Sequence, residues 1–153
     1  MKERRFIKIL YLVTLIIMIF TGFGQMPVFK RYYLADIPGL GWTADFYFTH
    51  YIHYLGAIFL IGLFSYLILD FFLIGRKEFR LSPASYFRVF IIAGIVLTGI
   101  FRVLKNLPNI LFSPGFTLFI DTTHLGFTMI FLLTALLFKI LKKGWVISLK
   151  RNE

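Results

Sequence analysis

The chain has 153 residues, no cysteine and a formal net charge of +10, and 59% of its residues are hydrophobic; its mean hydropathy is +0.82. The lack of cysteine excludes disulfides, thiol catalysis and iron–sulfur clusters held by this chain. Apolar runs of about twenty residues exclude a small water-soluble core, and basic residues placed between those runs exclude nucleic acid as the reason for the charge.

The first apolar run extends from about Phe6 to Phe23. It follows Lys2, Arg4 and Arg5, as a signal peptide would, but no small-residue cleavage motif comes after it, so it reads as a retained helix. The next segment, Gly24 to Asp45, is the longest connection. Pro27, Pro38, Gly39 and Gly41 prevent one long helix there. Its Phe29, Tyr32, Tyr33, Leu34 and Trp42 suit a membrane-surface aromatic belt or a docking partner. The second apolar run spans about Phe46 to Ile74, the third about Tyr86 to Leu104 and the fourth about Phe116 to Leu141. All four are expected to be helices, because an open strand in lipid leaves backbone groups unpaired. The expected fold is all-α, a single four-helix transmembrane domain over residues 1–153 in contact with membrane lipid.

Lys and Arg counts orient the helices. The N-terminus carries Lys2, Arg4, Arg5 and Lys8; the second connection and its edge carry Arg76, Lys77, Arg80 and Arg88; the C-terminal end carries Lys139, Lys142, Lys143, Lys150 and Arg151. These thirteen face Lys30, Arg31, Arg102 and Lys105 on the other side, so both termini are expected in the cytoplasm. The basic C-terminal stretch with Trp145 is expected on the anionic inner leaflet.

The two halves resemble each other. The first helix ends in Thr21-Gly22, and the third carries Thr98-Gly99 near its outer end. Each leads through a basic, proline-containing segment into a helix that returns inward, and those returning helices hold all three histidines. This reads as a duplicated hairpin. His50 and His53 lie in the sequence Thr49-His50-Tyr51-Ile52-His53-Tyr54-Leu55-Gly56, and His124 in Asp121-Thr122-Thr123-His124-Leu125-Gly126.

A histidine inside a spanning helix is costly and therefore marks a site. His53 falls about 10 Å and His124 about 12 Å inside the outer hydrocarbon edge, at 1.5 Å per residue. Two neutral imidazoles at matching depth suit the axial positions of a six-coordinate haem iron. Gly56 and Ala57 after His53, and Gly126 after His124, offer small residues against which a porphyrin can lie. His50, three residues from His53, is the competing ligand, supported by the Thr-His pair it shares with His124. Whichever of the two is left over is free to bond a haem propionate or a quinone oxygen. Arg102 is the candidate partner for a propionate, with snorkelling to lipid phosphate as the alternative. Helix-to-helix bonding of the histidines with each other, with Asp45 or with Asp121, and a transition-metal or proton path through His50, His53, His124 and Asp121, are the competing uses of the histidines. Asp70 reads as a charge partner for Arg76 or Lys77.

With its Thr-Gly ending to the first helix, and a histidine with a nearby glycine on the second and fourth, the chain resembles the cytochrome b membrane subunits of respiratory formate dehydrogenases and nickel–iron hydrogenases, and smaller four-helix relatives of them. The resemblance covers about Phe6 to Leu141. It implies an outer haem b held by the second and fourth helices, at the positions of His53 and His124. The family's inner haem uses a further histidine on the first helix and another later on the fourth. Here the first helix has none and Phe138 stands at the later position, so the resemblance implies one haem and no carry-over of the inner quinone site. It further implies a multi-pass subunit of a prokaryotic inner membrane, exchanging electrons between menaquinone or ubiquinone and an iron–sulfur or multihaem cytochrome partner. His50, Arg31 and Tyr54 are candidate quinone-lining residues. A haem-free anchor and a small transport or ion-path subunit are the alternative readings, and no hydrolytic or phosphate-binding motif is present.

Overall fold

The computed structural model describes residues 2–26 and 28–149; Pro27, Lys150 and Arg151 lie outside the described residues. Five α-helices form: α1 (Lys2–Gly24), the single turn α2 (Val28–Arg31), α3 (Phe46–Leu73), α4 (Pro83–Leu104) and α5 (Pro114–Ile140). Two three-residue strands, β1 (Phe79–Leu81) and β2 (Val146–Ser148), and short 3-10 turns at Leu34–Asp36, Gly41–Ala44 and Gly75–Lys77 complete the regular structure among the described residues. All helices but α2 are long and apolar enough to cross a membrane. At 1.5 Å per residue α3 and α5 are each about 40 Å long, more than the roughly 30 Å of hydrocarbon, so they must tilt or project beyond it.

The sequence stops and starts these helices with ordinary chemistry. Asp45 caps α3, its Oδ1 accepting from the Phe48 N–H at 3.0 Å. Ser82 and Ser113 do the same for α4 and α5, accepting from Ser85 and Phe116, and Pro83 and Pro114 stand at the first helical positions, where a missing N–H costs nothing. At the end of α5, Lys143 N–H bonds Phe138 O (2.9 Å) and Lys142 N–H bonds Lys139 O (3.2 Å), with Lys142 left-handed at φ 51°. That is the paired-bond ending that usually takes glycine.

The chain divides into two compact units, Met1–Leu73 and Ile74–Glu153. Each is an antiparallel helical hairpin. In the first, Thr21, Met18 and Tyr11 of α1 meet His53, Gly56 and Phe64 of α3 in that order, so partners move in opposite directions along the two helices. In the second, Arg102, Thr98, Gly94 and Phe87 of α4 meet Asp121, His124, Phe127 and Phe138 of α5. The interiors are inverted relative to a water-soluble protein. Thr14, Thr21, Thr49, Ser85 and Thr98 are buried, whereas Ile58, Leu118, Leu133 and Ile140 are about two-thirds exposed. Small hydroxyl residues let helices approach closely, and the outward apolar side chains are what a lipid solvent requires. Each buried threonine returns its hydroxyl to a carbonyl one turn back, as Thr14 does to Leu10 O at 2.9 Å.

The C-terminal stretch is tied back to the chain itself. β2 pairs antiparallel with β1, Leu81 opposite Val146 and Phe79 opposite Ser148. Arg88, expected only as a topological charge, is buried and donates to Lys143 O (2.7 Å) and Gly144 O (3.3 Å). Its guanidinium also lies 4.6 Å from the Phe138 ring and 4.8 Å from the Trp145 ring. Ser82 and Ser85 bond Gly144 O and Trp145 O. The cation thus serves carbonyls just beyond the negative end of the α5 dipole. Among the described residues Asp70 pairs with neither Arg76 nor Lys77.

Candidate functional site

The histidine-bearing faces are built the same way twice. In the first hairpin His53 Nδ1 lies 3.0 Å from Thr21 Oγ1, and Gly22 lets the ring approach, since a Cβ there would stand 3.2 Å from His53 Cε1. In the second, His124 Nδ1 lies 3.0 Å from Thr98 Oγ1, and a Cβ on Gly99 would stand 3.4 Å from His124 Cε1. Thr-Gly on one helix and His on its antiparallel neighbour therefore form one repeated unit. The structure makes His53, and not His50, the counterpart of His124, although the Thr-His dipeptide pairs His50 with His124 in sequence.

One turn further along, the repeat persists with sizes exchanged. Gly56, three residues after His53, faces Met18 of α1; a Cβ on Gly56 would stand 2.6 Å from Met18 Sδ. Three residues after His124 the large side chain is on α5, and Phe127 packs over Gly94 of α4, whose added Cβ would stand 2.7 Å from the ring. In each hairpin a glycine, on α3 in the first and on α4 in the second, meets a large side chain. Gly56 is thus explained by close packing of α1 against α3, and the space it leaves is filled by Met18. Gly126 differs, with nothing within 4 Å of a Cβ built on it.

His50 occupies the neighbouring stripe of α3. Its Nδ1 is 3.1 Å from Gln25 Oε1. Its ring stacks on Phe46 at 5.3 Å and 19° and meets Tyr54 at 4.2 Å between centroids. Phe46, His50 and Tyr54 recur every four residues, one aromatic ridge beside the Thr49–His53–Gly56 stripe that faces α1. Arg31 is exposed at the end of α2.

At the end of the second hairpin, Arg102 Nε is 3.0 Å from Asp121 Oδ1 and Lys105 Nζ is 2.7 Å from Oδ2. The Arg102 expected for a propionate already has a carboxylate partner, and Asp121, one turn before His124, bonds these two cations. Two positive charges around one carboxylate leave a net charge of +1 beside His124. Asp45, the other carboxylate considered for the histidines, caps α3 instead.

Thr21, Thr98 and Gln25 are the site residues that sequence reasoning missed. Their signal was present, since Thr-Gly recurs in both halves, but it was read as a repeat and not as the histidines' partner. No protein-family model, curated protein or solved structure matches the chain.

Proposed function

We propose that the chain is a multi-pass membrane subunit that holds one b-type haem through His53 and His124, near the face opposite its termini, and passes electrons between a membrane quinone and a partner subunit docked there. The observation that carries this reading is the repeated unit: two imidazoles, one per hairpin, each anchored at Nδ1 by a threonine and backed by a glycine. Imidazole nitrogens from two helices are a donor set that would hold a b-type haem. When bound, the haem supplies a one-electron redox couple. The chain's own residues set its surroundings. The two threonines hold the ligand rings, and Asp121 with Arg102 and Lys105 fixes the local charge. His50, braced by Gln25, together with Tyr54 and Arg31, is the candidate contact for a quinone head group. The Lys and Arg bias favours cytoplasmic termini; the prokaryotic inner membrane and an iron–sulfur or multihaem cytochrome partner are part of the same proposal and follow from the resemblance.

A haem-free anchor is the second reading. It is favoured by the fact that each histidine already bonds its own hairpin, which is sufficient to glue two helices together. A pyridine haemochrome assay on the detergent-purified protein separates the two: one haem b per chain supports the cytochrome, and none in a folded preparation supports the anchor. His50→Ala is expected to slow haem reduction by a quinol; unchanged kinetics remove His50 from the quinone site.

A further inference from the structure

The geometry points to Thr21 and Thr98 as positioning residues that lock both site histidines in the Nδ1–H tautomer. The argument follows single protons. Thr21 Oγ1 lies 2.7 Å from Ile17 O and 3.4 Å from Met18 O. A carbonyl only accepts, and two oxygens at 2.7 Å repel unless a proton lies between them. The one hydroxyl proton of Thr21 is therefore directed at Ile17 O. What the hydroxyl offers His53 Nδ1, 3.0 Å away, is a lone pair, so that nitrogen must carry the hydrogen.

The second hairpin repeats each term. Thr98 Oγ1 lies 2.7 Å from Gly94 O, 3.1 Å from Ile95 O and 3.0 Å from His124 Nδ1. With Nδ1 protonated, the lone pair of each neutral ring sits on Nε2, across Cε1 from the threonine. Gly22 and Gly99 are what let the rings come near enough, because their missing Cβ atoms leave room beside Cε1. A hydroxyl is a neutral acceptor. It fixes ring orientation as a carboxylate would, yet draws the Nδ1 proton less strongly and so makes Nε2 a weaker donor.

The tautomer assignment stands on the hairpin geometry alone; its consequence for iron ligation by Nε2 rests on the haem reading above. Because iron on Nε2 would itself leave the proton on Nδ1, the test is solid-state NMR on the full chain produced without haem, labelled with 13C,15N-histidine and reconstituted in phospholipid vesicles. His53 and His124 are expected as Nδ1–H rings. Thr21→Val, which keeps the shape and removes the hydroxyl, is expected to lower the Nδ1–H to Nε2–H ratio of one ring by about fivefold, the bias given by one net hydrogen bond. Thr98→Val is expected to do the same to the other ring, and Thr→Ser at either position to retain the parent signal. An Nε2–H ring at His53 or His124 in the parent chain overturns the inference, and needs no variant to be seen. So does a Thr→Val pair that leaves both tautomers unchanged. The haem midpoint potential, measured on the same variants loaded with haem, separates the two claims. Nδ1–H rings in a chain that takes up no haem leave the tautomer lock standing and sink the haem reading. Haem uptake with haem-free tautomers and a potential that both ignore the Thr→Val changes does the reverse.

Discussion

Replacing Gly94 by alanine puts a methyl carbon 2.7 Å from Cε2 and Cζ of Phe127 and 2.9 Å from Cδ2. Carbon pairs rest at about 3.5–4.0 Å, so the ring or the helix must retreat by about 1 Å. Overpacking of this kind costs about 1–3 kcal/mol, offset by up to about 1 kcal/mol of helix propensity gained over glycine. At Gly126 the same change meets nothing within 4 Å, so only the gain applies. Gly94→Ala should therefore be less stable than Gly126→Ala by about 1–3 kcal/mol. Gly56→Ala should fall between them, because Met18 is flexible and can swing aside. Adding Phe127→Leu to Gly94→Ala should restore part of the loss, a coupling of about 0.5–3 kcal/mol. The assay is unfolding in mixed micelles by titration with a denaturing detergent, followed by circular dichroism. Equal stability of the Gly94 and Gly126 variants would refute the exchanged knob-and-hole packing and, with it, the structural repeat that pairs His53 with His124.

Three further outcomes are expected. Gly22→Ala should disturb its histidine more than Gly99→Ala, since the added Cβ stands 3.2 Å from His53 Cε1 against 3.4 Å from His124 Cε1; a larger shift in the reduced haem absorption band of the Gly22 variant would show it. Arg88→Ala removes two charge-assisted bonds and two ring contacts from a buried site, a loss of about 3–5 kcal/mol in the same unfolding assay; Arg88→Lys should recover only part of it, because an ammonium lacks the planar fork. Asp121→Asn should cost no more than about 1 kcal/mol, its pairs being partly exposed. It should nonetheless raise the haem midpoint potential, because the negative charge it removes favours the oxidised, more positive iron; redox titration reads the sign.

The four long helices were legible because the constraint behind them is severe: lipid demands about twenty apolar residues and an internally bonded backbone. The starts at Ser82-Pro83 and Ser113-Pro114 were not read, and those helices begin three and two residues ahead of the expected Tyr86 and Phe116, because the capping serine and first-turn proline lie outside the apolar run. The duplicated hairpin was visible in Thr21-Gly22 and Thr98-Gly99. The pairing of those threonines with His53 and His124 was not, because hairpin register depends on how the connections at 25–45 and 105–113 coil, and their turns at Tyr33, Gly39 and Asn109 follow no periodic pattern. The same ignorance of register hid the contact of Gly56 with Met18 of α1. Arg88 looked like any inner-side cation, since sequence does not reveal that the carbonyls of Lys143 and Gly144 return to meet it. A three-residue strand such as Val146–Ser148 is too short to carry an alternation signal.

The most direct test of the central claim is electron paramagnetic resonance of the oxidised, purified protein, taken on the parent chain and on His53→Ala, His124→Ala and His50→Ala. One low-spin ferric signal in the parent is predicted, converted to high spin or lost when either His53 or His124 is replaced, and retained when His50 is replaced. A signal that survives loss of His53 but disappears with His50 would contradict the pairing of the two hairpins' equivalent histidines, and no ferric signal in the folded parent would contradict the haem itself.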